Sequence, residues 1–188
     1  MNICYNTSNK IMAEKYQVQL LKKQEEAENT MSFHFNKPVD FVYEAGQTID
    51  LTVPAGQGLE TRTFSLITEP QEPHLAIATR VTDSDFKQGL KNLEIGDEVE
   101  IEGPFGSFRL HQNEKKSAVF LVGGIGITPF IGMIKDALKK KKTHKLYLFY
   151  SNRRPEDAAF IYELITISKA KEIQLTLIPT MTEMQKSP

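Results

Sequence analysis

A glycine-rich stretch in the second half of the chain has the residue types of a phosphate-binding loop. Four apolar residues at 119–122, which suit a strand buried on both faces, run into Gly123, Gly124 and Gly126, with Pro129 close behind. Glycine lets the backbone approach a ligand without a Cβ in the way, and proline suits the start of a helix, whose free N–H groups attract phosphate. Pro129 replaces the third glycine of a Gly-x-Gly-x-x-Gly fingerprint. The stretch predicts a pyrophosphate site, with a plain turn as the alternative.

A second group of chemically capable residues is Arg62-Thr63-Phe64-Ser65 in the first half of the chain. In an extended strand Arg62 and Phe64 share one face and Thr63 and Ser65 the other, unless the strand bends at its end. A planar, phosphorylated cofactor would use a guanidinium for phosphate, a ring for stacking and a hydroxyl for a ring nitrogen. The alternative is an exposed arginine beside a core phenylalanine.

Short segments with alternating polarity surround this second group and predict antiparallel strands. They are Tyr16–Leu20, Met31–Phe35, Thr48–Val53, Phe64–Leu66, His74–Val81 and Glu98–Glu102. Six strands within about 90 residues predict a small closed, all-β antiparallel barrel. Phe86, Leu90 and Leu93 recur at helical spacing, so we expect a short helix, with Ser84 as its cap, before the last strand.

After a polar link near residues 108–116, strands alternate with helices. Strands are expected at 118–122, 145–150 and 173–178, and helices at 129–141 and 155–171. This order predicts an α/β doubly wound parallel sheet, with three strands where such sheets usually hold about five. The expected domains are a flexible leader at 1–14, a β-barrel domain at 15–112 and a partial, apparently truncated α/β domain at 113–188.

Composition excludes several classes of partner. The 188 residues carry 23 basic and 24 acidic side chains, well mixed, so no broad field attracts nucleic acid or anionic lipid. No apolar run approaches the roughly 18 residues of a membrane span and residues 1–10 are polar, which predicts a cytoplasmic protein. The single cysteine, Cys4, leaves no internal disulfide or iron–sulfur cluster, and the four histidines lack ligand spacing, so we expect no metal site.

Taken together, these elements resemble the ferredoxin:NADP reductase family of flavoproteins. The Arg-x-Phe-Ser element at 62–65 precedes a small helix, the segment Glu102–Phe108 follows, and the loop Gly123–Pro129 opens a nucleotide-binding half. The agreement extends from Tyr16 to about residue 181. Phe64 replaces the tyrosine of the family's Arg-x-Tyr-Ser element, and residues 45–47, Ala-Gly-Gln, stand for its Pro-Gly-Gln element.

The resemblance implies FAD as the cofactor of the barrel, with FMN as an alternative. Arg62 would hold the flavin pyrophosphate, Phe64 would lie against the isoalloxazine, and Ser65 would hydrogen-bond near N5, the atom that accepts hydride. Further contacts are implied for Thr63, for Ala78, Thr79 and Arg80 on a strand beside the ring, and for Phe86 and Lys87 at the start of the small helix. Lys87 stands where relatives often carry a serine, and Arg80 is equally well explained as a solvated strand residue.

The same resemblance implies that NAD(P)H binds the second half. The implied loop residues are Gly123, Gly124, Gly126, Ile127 and Thr128. Thr128 would face both flavin and nicotinamide, and with Ser65 it is a catalytic candidate. Ser151, Arg153 and Arg154 follow the next strand, at the edge where ligands bind, and would grip a 2′-phosphate, which favours NADPH over NADH. Alternatively, Asn152 caps a helix and both arginines are solvated.

These expectations define a flavin-dependent reductase. Hydride would pass from the nicotinamide C4 to the flavin N5, and the electrons would continue to a separate protein, a quinone, a ferric complex or oxygen. The short second half leaves an alternative, a flavin-binding module or truncated reductase with little NAD(P)H turnover. A further possibility is an oligomer in which another chain supplies the missing strands.

Overall fold

The computed structural model describes residues 13–183. Apart from residues 13 and 14, the leader expected at 1–14 lies outside the described residues, as does Cys4. None of the helices within 13–183 has the length and apolar character that a membrane span requires.

Six antiparallel strands form the first half of the molecule. They are β1 Glu14–Ala27, β2 Thr30–Asn36, β3 Thr48–Ala55, β4 Gly58–Ser65, β5 His74–Arg80 and β6 Glu98–Phe105. They pair in the order β4-β3-β6-β1-β2-β5. Alternating polarity gives these strands one face towards a core, as in β3, where Ile49, Leu51 and Val53 are buried while the residues between them are partly exposed.

The sheet curls without closing into a complete barrel. Within residues 13–183, β4 pairs with β3 and β5 pairs with β2, so β4 and β5 are the two edges. The edges approach just beyond β4, where the Ile67 N–H donates to the Ala76 carbonyl oxygen at 2.9 Å. The expected six-stranded antiparallel architecture is confirmed, as a half-barrel.

A small helix, α1 (Asp85–Asn92), lies against the half-barrel core. Phe86 and Leu90 are buried there, as the helical spacing predicts. Gly89 allows the close contact, because a Cβ at that position would overlap the Pro54 carbonyl oxygen of β3. Ser84 occupies the N-cap position, as predicted, but within the described residues its side chain makes no capping hydrogen bond.

The second half is a parallel sheet with helices. Its strands are β7 Ala118–Gly123, β8 Lys145–Asn152 and β9 Gln174–Met181, in that order, and its helices are α2 Thr128–Lys139 and α3 Ile161–Lys169. Short 3-10 turns occupy Gly124–Ile127 and Pro155–Asp157. The single helix expected at 155–171 is wrong: Phe160 has a φ of +61° and is buried with Ala158 and Ala159, which breaks the helix before Ile161.

The prediction that residues 119–122 are buried on both faces is also wrong. Val119 is 58% and Leu121 76% exposed, whereas Ala118, Phe120 and Val122 are buried. Both helices pack on one face of the sheet, since Ile131 of α2 and Leu164 of α3 share an apolar cluster with Phe120 of β7. Right-handed crossovers between neighbouring parallel strands give this arrangement. The opposite face of β7 is therefore apolar and exposed to solvent.

The α/β half packs directly on the half-barrel. Ala76 and Ala78 of β5 belong to the same apolar cluster as Ile127 and Ile131. Helix α2 runs so close to the chain after β4 that a Cβ on Gly132 would stand 2.8 Å from the Leu66 carbonyl oxygen. This packing sets the glycine loop at the start of α2 beside β5.

Candidate functional site

The end of β4 carries four of the predicted cofactor residues. The Arg62 side chain is 57% exposed, and its Nη2 lies 2.7 Å from Oε2 of Glu60. Thr63 donates its hydroxyl hydrogen to Asp50 of β3, so that hydroxyl already has a partner. Ser65 is partly exposed at the last residue of the strand, and Phe64 is only 9% exposed.

Phe64 belongs to what we call the rim cluster, consisting of Phe64, Phe86, Lys87 and Thr79. The rings of Phe64 and Phe86 stack with centroids 5.7 Å apart. The Lys87 ammonium lies 4.5 Å from the Phe64 centroid and 5.5 Å from the Phe86 centroid, and it donates to the Thr79 hydroxyl. Phe64 thus has the burial of a core residue, and its ring is covered by α1 side chains.

Two cations meet at the rim cluster. The Arg62 guanidinium carbon lies 5.5 Å from the Phe86 centroid, on a ring that Lys87 also covers. Burial, and then the positive charge of Arg62, lower the pKa of Lys87 to about 8. Since like charges repel, this pair of side chains favours an anionic ligand.

Strand β5 lies between the rim cluster and the α/β half. Ala78 and Thr79 are buried, with Ala78 in the core shared with α2 and Thr79 bound to Lys87. Arg80 is exposed at the end of the strand. The structure therefore brings β5 beside the proposed flavin site, while the role of Arg80 stays a prediction.

The glycine loop has the shape that its sequence predicts. Gly124 has a φ of +50°, which favours glycine, and Thr128 begins α2 with Pro129 in its first turn. A Cβ added to Gly123, Gly124 or Gly126 would meet no atom of residues 13–183 within 4 Å, so among these residues this side of the loop backbone is open to a ligand. Ile127 is fully buried, so its side chain is unavailable and only its backbone can contact a ligand.

The residues after β8 differ in how they are paired. Arg154 Nη2 lies 2.8 Å from Glu28 Oε2, on the turn between β1 and β2, and 3.0 Å from Asp157 Oδ1. Arg153 is exposed and Ser151 is partly exposed. Arg154 therefore links the two halves of the molecule, and Arg153 is the more available cation for a phosphate.

Asn152 is a candidate that the sequence reasoning treated only as a helix cap. It is 5% exposed at the end of β8, and neither amide atom has a hydrogen-bond partner of normal geometry within residues 13–183, although the Tyr150 hydroxyl lies nearby. That hydroxyl donates to the Ala159 carbonyl oxygen at 3.1 Å. The alternation of side chains along β8 predicts that Asn152 is buried, because it follows Leu148 and Tyr150 on the same face.

These residues fit a flavin and a dinucleotide. The open glycine loop at a helix N-terminus suits a pyrophosphate, and the two cations beside aromatic rings suit a phosphorylated planar cofactor. A curled antiparallel sheet joined to a parallel sheet with this loop defines the class of two-domain, flavin- and nicotinamide-binding oxidoreductases.

Comparison with known families agrees with this class. The family model described as Oxidoreductase FAD-binding domain matches residues 17–110, half of the chain, and the model described as Oxidoreductase NAD-binding domain matches residues 120–188. The chain belongs to this family of FAD- and NAD-binding oxidoreductases, and the resemblance drawn from residues 62–65 and 123–129 is confirmed.

Curated relatives are longer than this chain. Phthalate dioxygenase reductase of Burkholderia cepacia is 28% identical over 165 residues, covering 84% of this chain and 50% of that protein. The reductase component of propane 2-monooxygenase from Rhodococcus jostii is 24% identical over 155 residues, covering 81% of this chain and 41% of that protein. The chain spans about half, or less, of the length of these relatives.

Solved structures share the fold. The ferredoxin-NADP+ reductase from Plasmodium falciparum with 2′P-AMP aligns with a TM-score of 0.81 at 16% identity, covering 92% of this chain and 76% of that chain. This likeness confirms the expected fold, an antiparallel six-stranded sheet followed by a parallel sheet with helices.

Proposed function

We propose that the protein is an NAD(P)H-dependent reductase that holds FAD at the rim cluster and passes electrons to a separate acceptor. Bound FAD would supply the redox chemistry, accepting a hydride and releasing electrons singly or in pairs. The observation that carries the proposal is the placement of the glycine loop beside β5: Ile127 and Ala78 share one apolar core, so the nucleotide loop and the rim cluster lie on either side of one strand.

The half-barrel side would bind FAD mainly through charge and stacking. Arg62 and Lys87 would face the pyrophosphate, with the N–H groups of α1 beside them. Phe64 would offer its ring, and Ser65 a hydroxyl for the ring edge. Because the Thr63 hydroxyl is bonded to Asp50, Thr63 would contact the cofactor through its backbone.

The α/β side would bind NAD(P)H through the open face of the glycine loop. Gly123, Gly124 and Gly126 would admit the pyrophosphate, and Thr128 would lie towards the nicotinamide. Ser151 and Arg153 would meet the adenosine end, and a 2′-phosphate there favours NADPH. The catalytic contribution of the chain is then positioning of the two rings and exclusion of water between them.

The acceptor we favour is another protein. Two relatives are by name the reductases of phthalate dioxygenase and propane 2-monooxygenase, and the homology supports delivery of electrons to an oxygenase-type partner. Quinones, ferric complexes and oxygen remain outcomes of the assay with different acceptors.

The experiment combines a flavin spectrum with turnover. The full chain is mixed with FAD, freed of excess cofactor by gel filtration, and assayed for NADPH and NADH oxidation with ferricyanide as acceptor. We expect the chain to retain FAD and to oxidise NADPH or NADH faster than free FAD does at equal concentration. Retained FAD without turnover would make the chain a flavin-binding module, and loss of all FAD would overturn the proposal.

Association between copies of the chain stays a prediction. Among the strands of residues 13–183, β7 is an edge of the parallel sheet, and the exposure of Val119 and Leu121 on it supports a contact at this strand. If another chain supplies further strands at β7, light scattering of the purified protein will give the mass of more than one chain. A monomer at micromolar concentration would contradict this prediction.

A further inference from the structure

Lys87 is a half-buried cation without an anionic partner among the described residues. Its ammonium contacts the Thr79 hydroxyl and lies over the rings of Phe64 and Phe86, and within residues 13–183 no carboxylate lies within ion-pair distance of it. Arg62, the other cation at the rim cluster, is paired with Glu60. Lys87 is thus the cation at this site that is free to meet an added anion.

This environment is unfavourable for a protonated lysine. Removal from water and the neighbouring Arg62 both disfavour the charge, and they lower the pKa of Lys87. Aromatic faces and one hydroxyl compensate only in part, because an ammonium has three donors and prefers an anion. A phosphate beside Lys87 would supply the negative charge and the hydrogen-bond acceptors that its ammonium lacks.

The same ammonium covers the ring that is proposed to stack on the flavin. Phe64 is 9% exposed and Lys87 Nζ lies 4.5 Å from its centroid, so a flat ring cannot rest on that face while the ammonium stays there. The lysine stem is long and flexible, and its Cα lies in the first turn of α1, where N–H groups attract phosphate. A swing of the side chain would uncover Phe64 and bring the charge to a phosphate in one movement.

We propose that Lys87 is a displaceable cation of the flavin site, whose ammonium leaves the Phe64 ring when a flavin stacks there and pairs with the flavin phosphate. The inference rests on the proposed FAD site. It makes the phosphate a requirement for tight binding, because a flavin without phosphate would displace the ammonium and offer it no partner.

The test compares FAD, FMN and riboflavin binding, followed by flavin fluorescence, in the full chain and in K87A, K87M and K87R. K91A is the matched control, since Lys91 is an exposed lysine on the same helix. Loss of a charge-assisted contact should weaken FAD and FMN binding to K87A and K87M by roughly 10- to 100-fold. Riboflavin binding should tighten in the same two variants, because the covering ammonium is gone. K87R should retain the preference for phosphorylated flavins, and K91A should behave like the wild type.

The opposite response of riboflavin separates this role from a structural one. Equal weakening of riboflavin and FAD in K87A and K87M would overturn the inference while leaving the FAD site intact, and so would unchanged binding of all three flavins. Equal affinity of the wild-type protein for FMN and riboflavin would overturn it even if neither variant folds. If the wild type binds none of the three flavins, the proposed function itself fails.

Discussion

Replacing Gly126 with alanine should weaken NAD(P)H binding without weakening the fold. A Cβ at position 126 would meet no atom of the described part of the chain within 4 Å, and Gly126 is not among the glycines with positive φ. Alanine is therefore compatible with the folded backbone. Because it also restricts the unfolded chain, the free energy of unfolding should stay constant or rise by up to about 1 kcal/mol.

The added methyl group projects into the space assigned to the dinucleotide. If it displaces the pyrophosphate from one loop N–H group, the lost charge-assisted hydrogen bond is worth about 1.5–3 kcal/mol. That loss corresponds to a roughly 10- to 150-fold weaker affinity. G126V, with a larger side chain, should lose at least as much.

Gly132, which lies outside the loop, provides the control in which the fold alone should suffer, whereas Gly124 lies in the loop and combines both effects. G124A forces alanine into a φ of +50° and should cost about 1–2 kcal/mol of stability. G132A places a Cβ 2.8 Å from the Leu66 carbonyl oxygen, so it should loosen the contact between α2 and the half-barrel. Stability loss and ligand exclusion can therefore be told apart.

The assay pairs calorimetric titration of NADPH and NADH with equilibrium unfolding of each variant. G126A should keep wild-type stability and lose affinity, whereas G132A should lose stability. Wild-type affinity in G126A would show that the loop is only a turn, and the dinucleotide assignment would be withdrawn.

Three further predictions concern charged residues. R62A should weaken FAD binding about 10- to 100-fold. R109A removes a similar exposed ion pair, in which Arg109 and Glu44 are 3.0 Å apart, and should leave FAD binding unchanged. Equal losses in the two variants would contradict the assignment of Arg62 to the flavin pyrophosphate. R153A should raise the KM for NADPH more than that for NADH, and a parallel change would argue against a 2′-phosphate contact. The pKa of folded Lys87 is lowered to about 8 from 10.5, so the unfolded chain binds more protons between these pH values. The stability of the wild type relative to K87Q should therefore rise with pH across that range in urea unfolding, and a constant difference would contradict this.

Local sequence patterns predict much of the fold. The alternation of Ile49, Leu51 and Val53 predicts a strand with one buried face, and the structure confirms it in β3. The glycines at 123–126 followed by Pro129 predict a strand, loop and helix, which β7 and α2 confirm. These features depend on neighbouring residues, so sequence alone contains them.

Features that depend on contacts between residues far apart in the chain could not be predicted from local sequence patterns. An apolar run such as Val119–Val122 does not reveal whether helices cover one face of a sheet or both. The helix break at Phe160 follows from burial of that ring in the core. Lys87 acquires its significance only because β4, β5 and α1 meet around it, bringing Phe64 and Thr79 to its ammonium.

The proposed function requires a flavin bound to the half-barrel beside the nucleotide loop. The most direct measurement is the absorbance spectrum of the full chain after incubation with FAD and removal of excess cofactor. The expected spectrum shows flavin bands in the near-ultraviolet and blue at about one FAD per chain. A colourless protein that retains neither FAD nor FMN would contradict it.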